Sequence, residues 1–308
     1  MLLSLSFSFS ASALETDQFY AWGKPIEDST DYINAWSKLT IQSALDAEGS
    51  GKLESCESAI KAIQSHLQHS IYQPIELWII ASELVDRIPD DLEGSRDYHS
   101  KYLLSKTFTF DYARWLQPSP TLEINGIRFG SDKLSHFFSE GWWYYKKWRK
   151  LQLGQSEEQL QRNIFLFGID LERGIQGLKM TGVLSPADLE ANYQGLIFYR
   201  QLCHAEEPLL TQSNGRWQFS DQFDIRDYIS PKWDESWNPN IYSPKRWGGI
   251  RATMSGYCPA MDSEWVVQQR KLYASLDSET KTQKLLYEMV EAGELPDPKD
   301  FDITTVCK

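Results

Sequence analysis

Apolar residues recur at helical intervals along most of the chain. Between residues 53 and 71, Ala59, Ile60, Ile63 and Leu67 follow one another at steps of one, three and four. The segment 75–88 has a similar apolar period. Such spacing places the apolar side chains on one face of a helix. Two amphipathic helices are therefore predicted in the first third of the chain.

The middle of the chain predicts three helices in close succession, at about 131–150, 156–181 and 185–202. The second begins after Ser156, a residue type that caps helix amino termini, and Gly182 is expected to end it. The third begins after Ser185, with Pro186 at its first position. Two further helices are predicted at about 263–276 and 278–291.

The remaining segments have less regular patterns. Asn125-Gly126 lies between two short apolar stretches and predicts a small hairpin over 122–129. Residues 100–116 are aromatic and fit either a helix or a strand, while 215–249 is rich in Trp and Pro and predicts a long ordered loop region. The fold class expected from these elements is mainly α, a compact multi-helix domain formed by residues 14–308.

The amino terminus indicates export. Residues 1–10 are apolar and rich in serine, and Ala11-Ser12-Ala13 has the form of a signal-peptidase site. We therefore predict a signal peptide at 1–13 and a periplasmic or secreted protein, the alternative being a frayed cytosolic start. No later segment has about 18 consecutive apolar residues, so no transmembrane segment is expected.

Four cysteines are present at positions 56, 203, 258 and 307. An even number in an exported chain predicts two structural disulfides, and three pairings are open. Because no C-x-x-C pair occurs, a thioredoxin motif or a zinc knuckle is not expected.

The charge and the aromatic content limit the partners. A formal net charge of -12 excludes a general nucleic-acid binder, because phosphate binding needs a positive field. The chain has 12 Trp, which favours a surface for peptidoglycan, another glycan or an envelope lipid. The aromatic and basic run 142–150 fits either a membrane-surface anchor or an ordinary helix end. The Trp-rich segment from Trp217 to Trp247 either offers aromatic rings on which sugars stack or packs a loop against the core.

The strongest candidate chemistry lies at 130–140. On a helix, Asp132, His136 and Glu140 recur every four residues and share one face. These residue types transfer protons or bind metals. Lys133 and Trp143, on the same predicted helix, are candidate substrate-binding residues. The alternative is that this polar face is solvated or purely structural.

Two later helices supply further candidates. Glu172 shares a face with apolar residues, so that burial would raise its pKa and suit a general acid. The alternative for Glu172 is an ion pair with Arg173 or a lysine. Asn192, inside the third central helix, either binds substrate or bonds to a neighbouring helix.

Two mechanisms use these groups. In the first, His136, Glu140 and Glu172 bind a divalent metal that activates water. In the second, Asp132 orients His136, and a glutamate acts as acid or base on an ester, glycosidic or phosphoester bond. The chain has no G-x-S-x-G elbow, P-loop, dinucleotide fingerprint or H-E-x-x-H motif.

The segment Asp132-Lys133-Leu134-Ser135-His136-Phe137 resembles the D-K-x-x-H-F signature of VanZ-like and YfiM-type bacterial envelope proteins. The chain also resembles exported bacterial proteins whose mature form begins near E-T-D-Q-F, here residues 15–19. The resemblance implies an envelope location and a role for Asp132, Lys133 and His136. It implies no particular reaction.

The sequence therefore supports two functional hypotheses. The first is an exported hydrolase of an envelope component, with a cleft around His136, Glu140 and Glu172. The second is a non-enzymatic envelope or interaction protein in which the same residues form a buried polar network. The sequence leaves the substrate and the oligomeric state open.

Overall fold

The fold is taken from a computed structural model, which describes residues 16–49, 52–68, 73–90, 119–174, 177–179 and 181–308. The predicted signal peptide and the ambiguous segment 100–116 lie outside the described residues. Within them the protein is mainly α-helical, as predicted. The α-helices are α1 (Thr30–Ala47), α2 (Cys56–Leu67), α3 (Pro74–Ala81), α4 (Asp132–Ser135), α5 (Gly141–Leu151), α6 (Glu157–Arg173), α7 (Pro186–Cys203), α8 (Pro244–Ser255), α9 (Glu264–Leu276), α10 (Lys281–Glu291) and α11 (Ile303–Val306).

The predicted starts of the central helices are confirmed. The Ser156 hydroxyl accepts a hydrogen bond from the Gln159 amide, and the Ser156 amide donates one to the Gln159 side-chain oxygen. The Ser185 hydroxyl accepts from the Asp188 amide at 3.1 Å, ahead of Pro186. These caps satisfy amide groups that have no partner inside the helix.

Two predicted helix ends are wrong. Helix α6 ends at Arg173, not near 181, and the Gly174 amide bonds to the Leu171 carbonyl. Helix α3 ends at Ala81, well before 88, and Ile88 pairs in a β-bridge with Thr121. The helical period continues past both ends in the sequence, but a local cap at Gly174 ends α6, and Ile88 lies in a contact with a distant residue.

The predicted hairpin is confirmed as β1 (Thr121–Ile124) paired antiparallel with β2 (Ile127–Gly130). Asn125 and Gly126 both have positive φ at the turn, 52° and 75°, which an Asn-Gly pair tolerates. A second hairpin, not predicted, joins β4 (Leu210–Ser213) and β5 (Arg216–Phe219) through Asn214-Gly215. Strands β3 (Val183–Leu184) and β6 (Ile241–Tyr242) form a third pair.

Helices α5 and α7 pack closely at the centre of the molecule. Gly141 and Gly195 meet at this crossing, where a Cβ on Gly141 would lie 2.6 Å from Gly195 Cα. A Cβ on Gly195 would lie 2.0 Å from the Phe137 carbonyl oxygen. Only glycine allows this approach, which brings the α4 segment against the first turns of α7.

One large apolar cluster forms the core around this crossing. Its aromatic members include Phe137, Phe138 and Phe198, with the Phe137 and Phe198 rings 5.3 Å apart. The two predicted disulfides are present as Cys56–Cys203 and Cys258–Cys307. The first ties α2 to the end of α7, and the second ties the end of the chain to the segment after α8.

The Trp- and Pro-rich segment is ordered, with short 3-10 helices at Ile225–Tyr228 and Pro231–Trp233. Trp233 is fully buried, and Trp217 Nε1 donates to the Leu53 carbonyl at 2.9 Å. Trp247 packs edge-on against Phe301, with ring centroids 5.0 Å apart. These three tryptophans hold the segment against the rest of the domain.

Among the described residues, every helix is too short or too polar to cross a membrane. The two disulfides fit a protein that works outside the cytoplasm.

Candidate functional site

A buried group of charged side chains lies where three parts of the chain meet. Helix α4 follows directly after β2, the first turns of α7 pack beside it, and the loop after Trp233 closes the third side. Gly130 makes the entry to α4 possible, because a Cβ there would lie 2.1 Å from Asp132 Oδ1. The buried ionisable residues of this group, called here the charged centre, are Asp132, Lys133, His136, Glu140, Asp188 and Glu235.

Lys133 is the cation at the middle of the charged centre. Its Nζ lies 2.6 Å from Asp132 Oδ2 and 2.7 Å from both Asp188 Oδ1 and Glu235 Oε1. The Lys133 side chain is fully buried. A buried ammonium needs such partners, since desolvation without them costs several kcal/mol.

His136 is held through both ring nitrogens. Nδ1 lies 3.1 Å from Asn192 Oδ1, and Nε2 lies 3.3 Å from Asp188 Oδ2. Because an amide oxygen only accepts hydrogen bonds, the Nδ1 contact requires a proton on that nitrogen. Nε2 faces Asp188, and this nitrogen either carries a second proton or presents its lone pair to that carboxylate.

A π-helical turn, His136–Glu140, separates α4 from α5. The Gly141 amide bonds to the His136 carbonyl five residues back, one residue further than in an α-helix. The continuous helix predicted here is therefore interrupted. π-Turns of this kind are frequent at functional sites. The polar side of this segment does not face water, because all residues from 132 to 142 are buried.

Glu140 completes the His136 side of the centre. Its Oε2 lies 3.9 Å from His136 Nδ1. That oxygen is buried and has no hydrogen-bond donor within the described part of the chain. Burial raises the pKa of Glu140 to about 7, although the charge of His136 opposes this rise.

The pKa values of the other groups in the charged centre shift according to their burial and their charged neighbours. Burial raises the pKa of Glu235 to about 7 against the opposing effect of Lys133. For Asp188, burial would raise the pKa, but the charges of His136 and Lys133 outweigh it and lower the pKa. For His136, burial would lower the pKa, but Asp188 and Glu140 outweigh it and raise the pKa.

Glu76, on α3, lies beside the centre. Its carboxylate accepts hydrogen bonds from Ser119 Oγ and, at 3.2 Å, from Ser135 Oγ. Burial, more than any other effect, raises the pKa of Glu76 to about 7.

The structure separates the sequence-predicted residues into two groups. Asp132, Lys133, His136 and Glu140 lie in the charged centre, and Asn192 contacts it through His136. Glu172 is buried on α6, where its Oε2 accepts from the Ser185 amide at 3.4 Å. Arg173, the alternative ion-pair partner considered for Glu172, donates to the Glu294 carbonyl.

Trp143 does not line the centre. It is half-buried on α5, where Lys146 Nζ lies 4.4 Å from its ring centroid. The extra residue in the π turn rotates α5 relative to α4, so that a uniform helical period misplaces positions after His136.

Sequence reasoning missed Asp188, Glu235 and Glu76. Asp188 and Asn192 are four residues apart on α7, and both face His136. That spacing is a signal the sequence contains. Glu235 and Glu76 carry no such signal, because only the folded chain brings them to α4.

The group with metal-ligand geometry differs from the predicted one. Asp132, His136 and Asp188 each offer a ligand atom, and these atoms all lie within 4.8 Å of one another. Glu140 and Glu172, predicted as ligands beside His136, are not members of this group. The arrangement has both a potential general base and oxygen and nitrogen ligands suited to a divalent cation.

A narrow crevice leads from the surface to one side of the charged centre. Its lining includes Thr16, Gly130 and Glu235, together with Arg128 and Trp265. It has room for about one water molecule. Glu235 is the member of the charged centre that lines the crevice, and Thr16, which also lines it, has its Oγ1 3.1 Å from Asp132 Oδ1.

Comparison with known proteins gives no relative: no protein-family model, curated protein or solved structure matches the chain.

Proposed function

We propose that the protein acts outside the cytoplasm as a hydrolase of an envelope component, with the charged centre activating water. The observation that supports this most directly is the fixed orientation of His136. Asn192 sets the proton on Nδ1, and Nε2 faces Asp188 at 3.3 Å. A histidine oriented by one group and facing a carboxylate with its other nitrogen is suited to proton transfer or to metal binding.

The unequal charge of the centre also supports a functional role. Four buried carboxylates accompany one lysine and one histidine. A network serving stability alone is expected to satisfy its members, whereas the Glu140 and Glu235 Oε2 atoms have no hydrogen-bond donor among the described residues. Unsatisfied buried groups are typical of sites maintained for function.

A second function is supported by a different observation. The ion pairs of Lys133 with Asp132, Asp188 and Glu235 lie inside the protein, and the crevice is narrow. This favours a non-enzymatic envelope protein in which the centre only joins α4, α7 and the loop after Trp233. Peptidoglycan, another glycan or an envelope lipid is the partner class in either case.

The test compares wild type with His136→Gln on four probes: p-nitrophenyl butyrate, p-nitrophenyl phosphate, bis-p-nitrophenyl phosphate and dye-labelled peptidoglycan. We expect hydrolysis of at least one probe, with kcat/KM reduced at least ~100-fold in the variant. The matched control is His66→Gln, a histidine on α2 far from the centre in sequence, which should retain the rate.

Equal rates in wild type and His136→Gln on all four probes would overturn the hydrolase. A folded His136→Gln protein, shown by an unchanged circular dichroism spectrum, is required for the comparison. If that variant does not fold, Asn192→Ala replaces it, because this change releases the ring without removing it.

A further inference from the structure

The charged centre has the donor atoms of a divalent metal site. Asp132 and His136 lie one turn apart, and the His136 amide bonds to the Asp132 carbonyl within that turn. Asp188 comes from the first turn of α7, fixed by its Ser185 cap. Two carboxylates and one imidazole within 4.8 Å form a mixed oxygen and nitrogen set, which suits Zn²⁺ or Mn²⁺.

Lys133 pairs with one oxygen of each of the two proposed aspartate ligands. It pairs with Asp132 Oδ2 and Asp188 Oδ1, which leaves the second oxygen of each carboxylate. Asp188 Oδ2 faces His136 Nε2. Asp132 Oδ1 faces the Thr16 hydroxyl, which also lies 3.1 Å from the Ser119 carbonyl oxygen. Because a hydroxyl has one proton, Thr16 can donate to Ser119 while Asp132 Oδ1 binds a cation.

The contact between His136 and Asp188 fits a shared cation. Asp188 Oδ2 lies 3.3 Å from His136 Nε2, so an ion between the two atoms would be about 2 Å from each, the usual distance of a Zn²⁺ ligand. A divalent ion would also offset part of the charge of the four buried carboxylates.

Two buried oxygens provide independent support. Glu140 Oε2 and Glu235 Oε2 have no hydrogen-bond donor in the described ranges, and both carboxylates belong to the centre. Donor-free carboxylate oxygens next to a ligand group are suited to accept from metal-bound water. The crevice beside Thr16 and Glu235 has room for about one water molecule next to the charged centre.

We propose that Asp132, His136 and Asp188 bind one divalent transition-metal ion, with Asn192 positioning His136 for this role. The proposal deepens the hydrolase proposed above, since a bound metal would supply the activated water. It does not depend on that activity, because a metal at this site would be equally able to stabilise a non-enzymatic protein.

The experiment measures binding, not turnover. The full chain, treated with EDTA and dialysed, is titrated with ZnCl₂ and with MnCl₂ by isothermal calorimetry, and the metal content of untreated protein is measured by mass spectrometry. We expect one equivalent of one of these metals and a higher melting temperature in its presence. Asp188→Asn and His136→Gln should weaken binding at least ~100-fold, and Asn192→Ala by ~10 to 100-fold.

Glu172→Gln is the matched control, since Glu172 is a buried carboxylate outside the three-ligand group. It should bind metal as wild type does. If a ligand variant does not fold, Asn192→Ala and the melting temperature of wild type with and without metal still decide the question.

Two outcomes overturn the proposal: no binding by folded wild type at millimolar metal, or full binding by folded Asp188→Asn and His136→Gln. Binding without hydrolysis of any probe would retain the metal site and reject the hydrolase. If the protein binds no metal and EDTA does not affect its hydrolysis of a probe, the hydrolase is retained and the metal site is rejected.

Discussion

The two halves of helix α7 differ in what they pack against. The amino-terminal half presents Asp188 and Asn192 to the charged centre, while the carboxyl-terminal half presents Phe198 and Leu202 to the aromatic core. The same helix therefore serves a region that depends on charge compensation and one that depends on apolar packing. Gly195 lies between the two halves and sets their distance from α5.

The two halves are equally buried but differ in how well they tolerate a substitution. In the aromatic half, a change of side chain costs the lost contacts and any cavity. In the charged half, removal of one member leaves the other charges buried without compensation. The charged half is therefore expected to respond most strongly to single substitutions and to pH.

The largest effect is expected for Lys133→Met. The change leaves Asp132, Asp188 and Glu235 without their shared cation, and should lower the free energy of unfolding by about 3 to 5 kcal/mol. Urea denaturation measures this loss, and Lys150→Met, at an exposed lysine on α5, is the control. Adding Glu235→Gln should restore part of the loss. A loss below about 1 kcal/mol would show that Lys133 is not the main compensating charge.

Glu76→Gln should remove part of the pH dependence of stability. The pKa of Glu76 is raised to about 7 by burial, so the folded protein binds this proton more tightly than the unfolded chain. Its contribution is fully present below about pH 4.5 and is lost as pH rises through about 7, a change of about 3 kcal/mol.

The measurement is urea denaturation of wild type and Glu76→Gln from pH 4.5 to 8.5. The difference between the two proteins should change over that range, whatever the other buried carboxylates contribute. Parallel pH profiles would contradict the assignment of this dependence to Glu76.

Gly195→Ala tests the crossing that joins the two halves. The new Cβ would lie 2.0 Å from the Phe137 carbonyl oxygen, and the resulting overpacking should cost about 2 kcal/mol. Gly248→Ala on α8 is the control, because a Cβ there meets nothing within 4 Å. Thermal unfolding should separate the two variants. Equal melting temperatures would mean that the helices move apart without cost.

The smallest effect is expected at the surface. Arg226 bonds to Asp224 through two nitrogens, but its side chain is largely exposed. Arg226→Ala should leave the melting temperature unchanged within error, since exposed ion pairs contribute little. A clear decrease would show that the contrast between buried and exposed charge is weaker than proposed.

Much of the fold could be predicted from local patterns. The caps at Ser156 and Ser185 and the Asn125-Gly126 turn depend on neighbouring residues, and all three occur as expected. The predicted end of α6 was wrong because Gly174, and not Gly182, ends the helix. The predicted end of α3 was wrong, and Ile88 pairs with the distant Thr121. The pairing of the cysteines was open because contacts distant in sequence decide it.

Only the part of the candidate site that lies in the segment 132–140 could be predicted from the sequence. Asp132, His136 and Glu140 were found because a four-residue spacing brings them together. Asp188 and Glu235 lie 56 and 103 residues beyond Asp132, and Glu172 turned out to bond to the start of α7.

The sequence by itself determined the mainly helical class, the helix starts, the hairpin and the presence of a titratable segment, because these depend on local spacing and capping. The tertiary structure decided that this segment is buried, that Lys133 joins three carboxylates, and that Asp188 rather than Glu172 faces His136. The physical reason is that ion pairing and desolvation depend on which residues, distant in sequence, become neighbours in the folded chain. The close packing of α5 on α7 determines these neighbours.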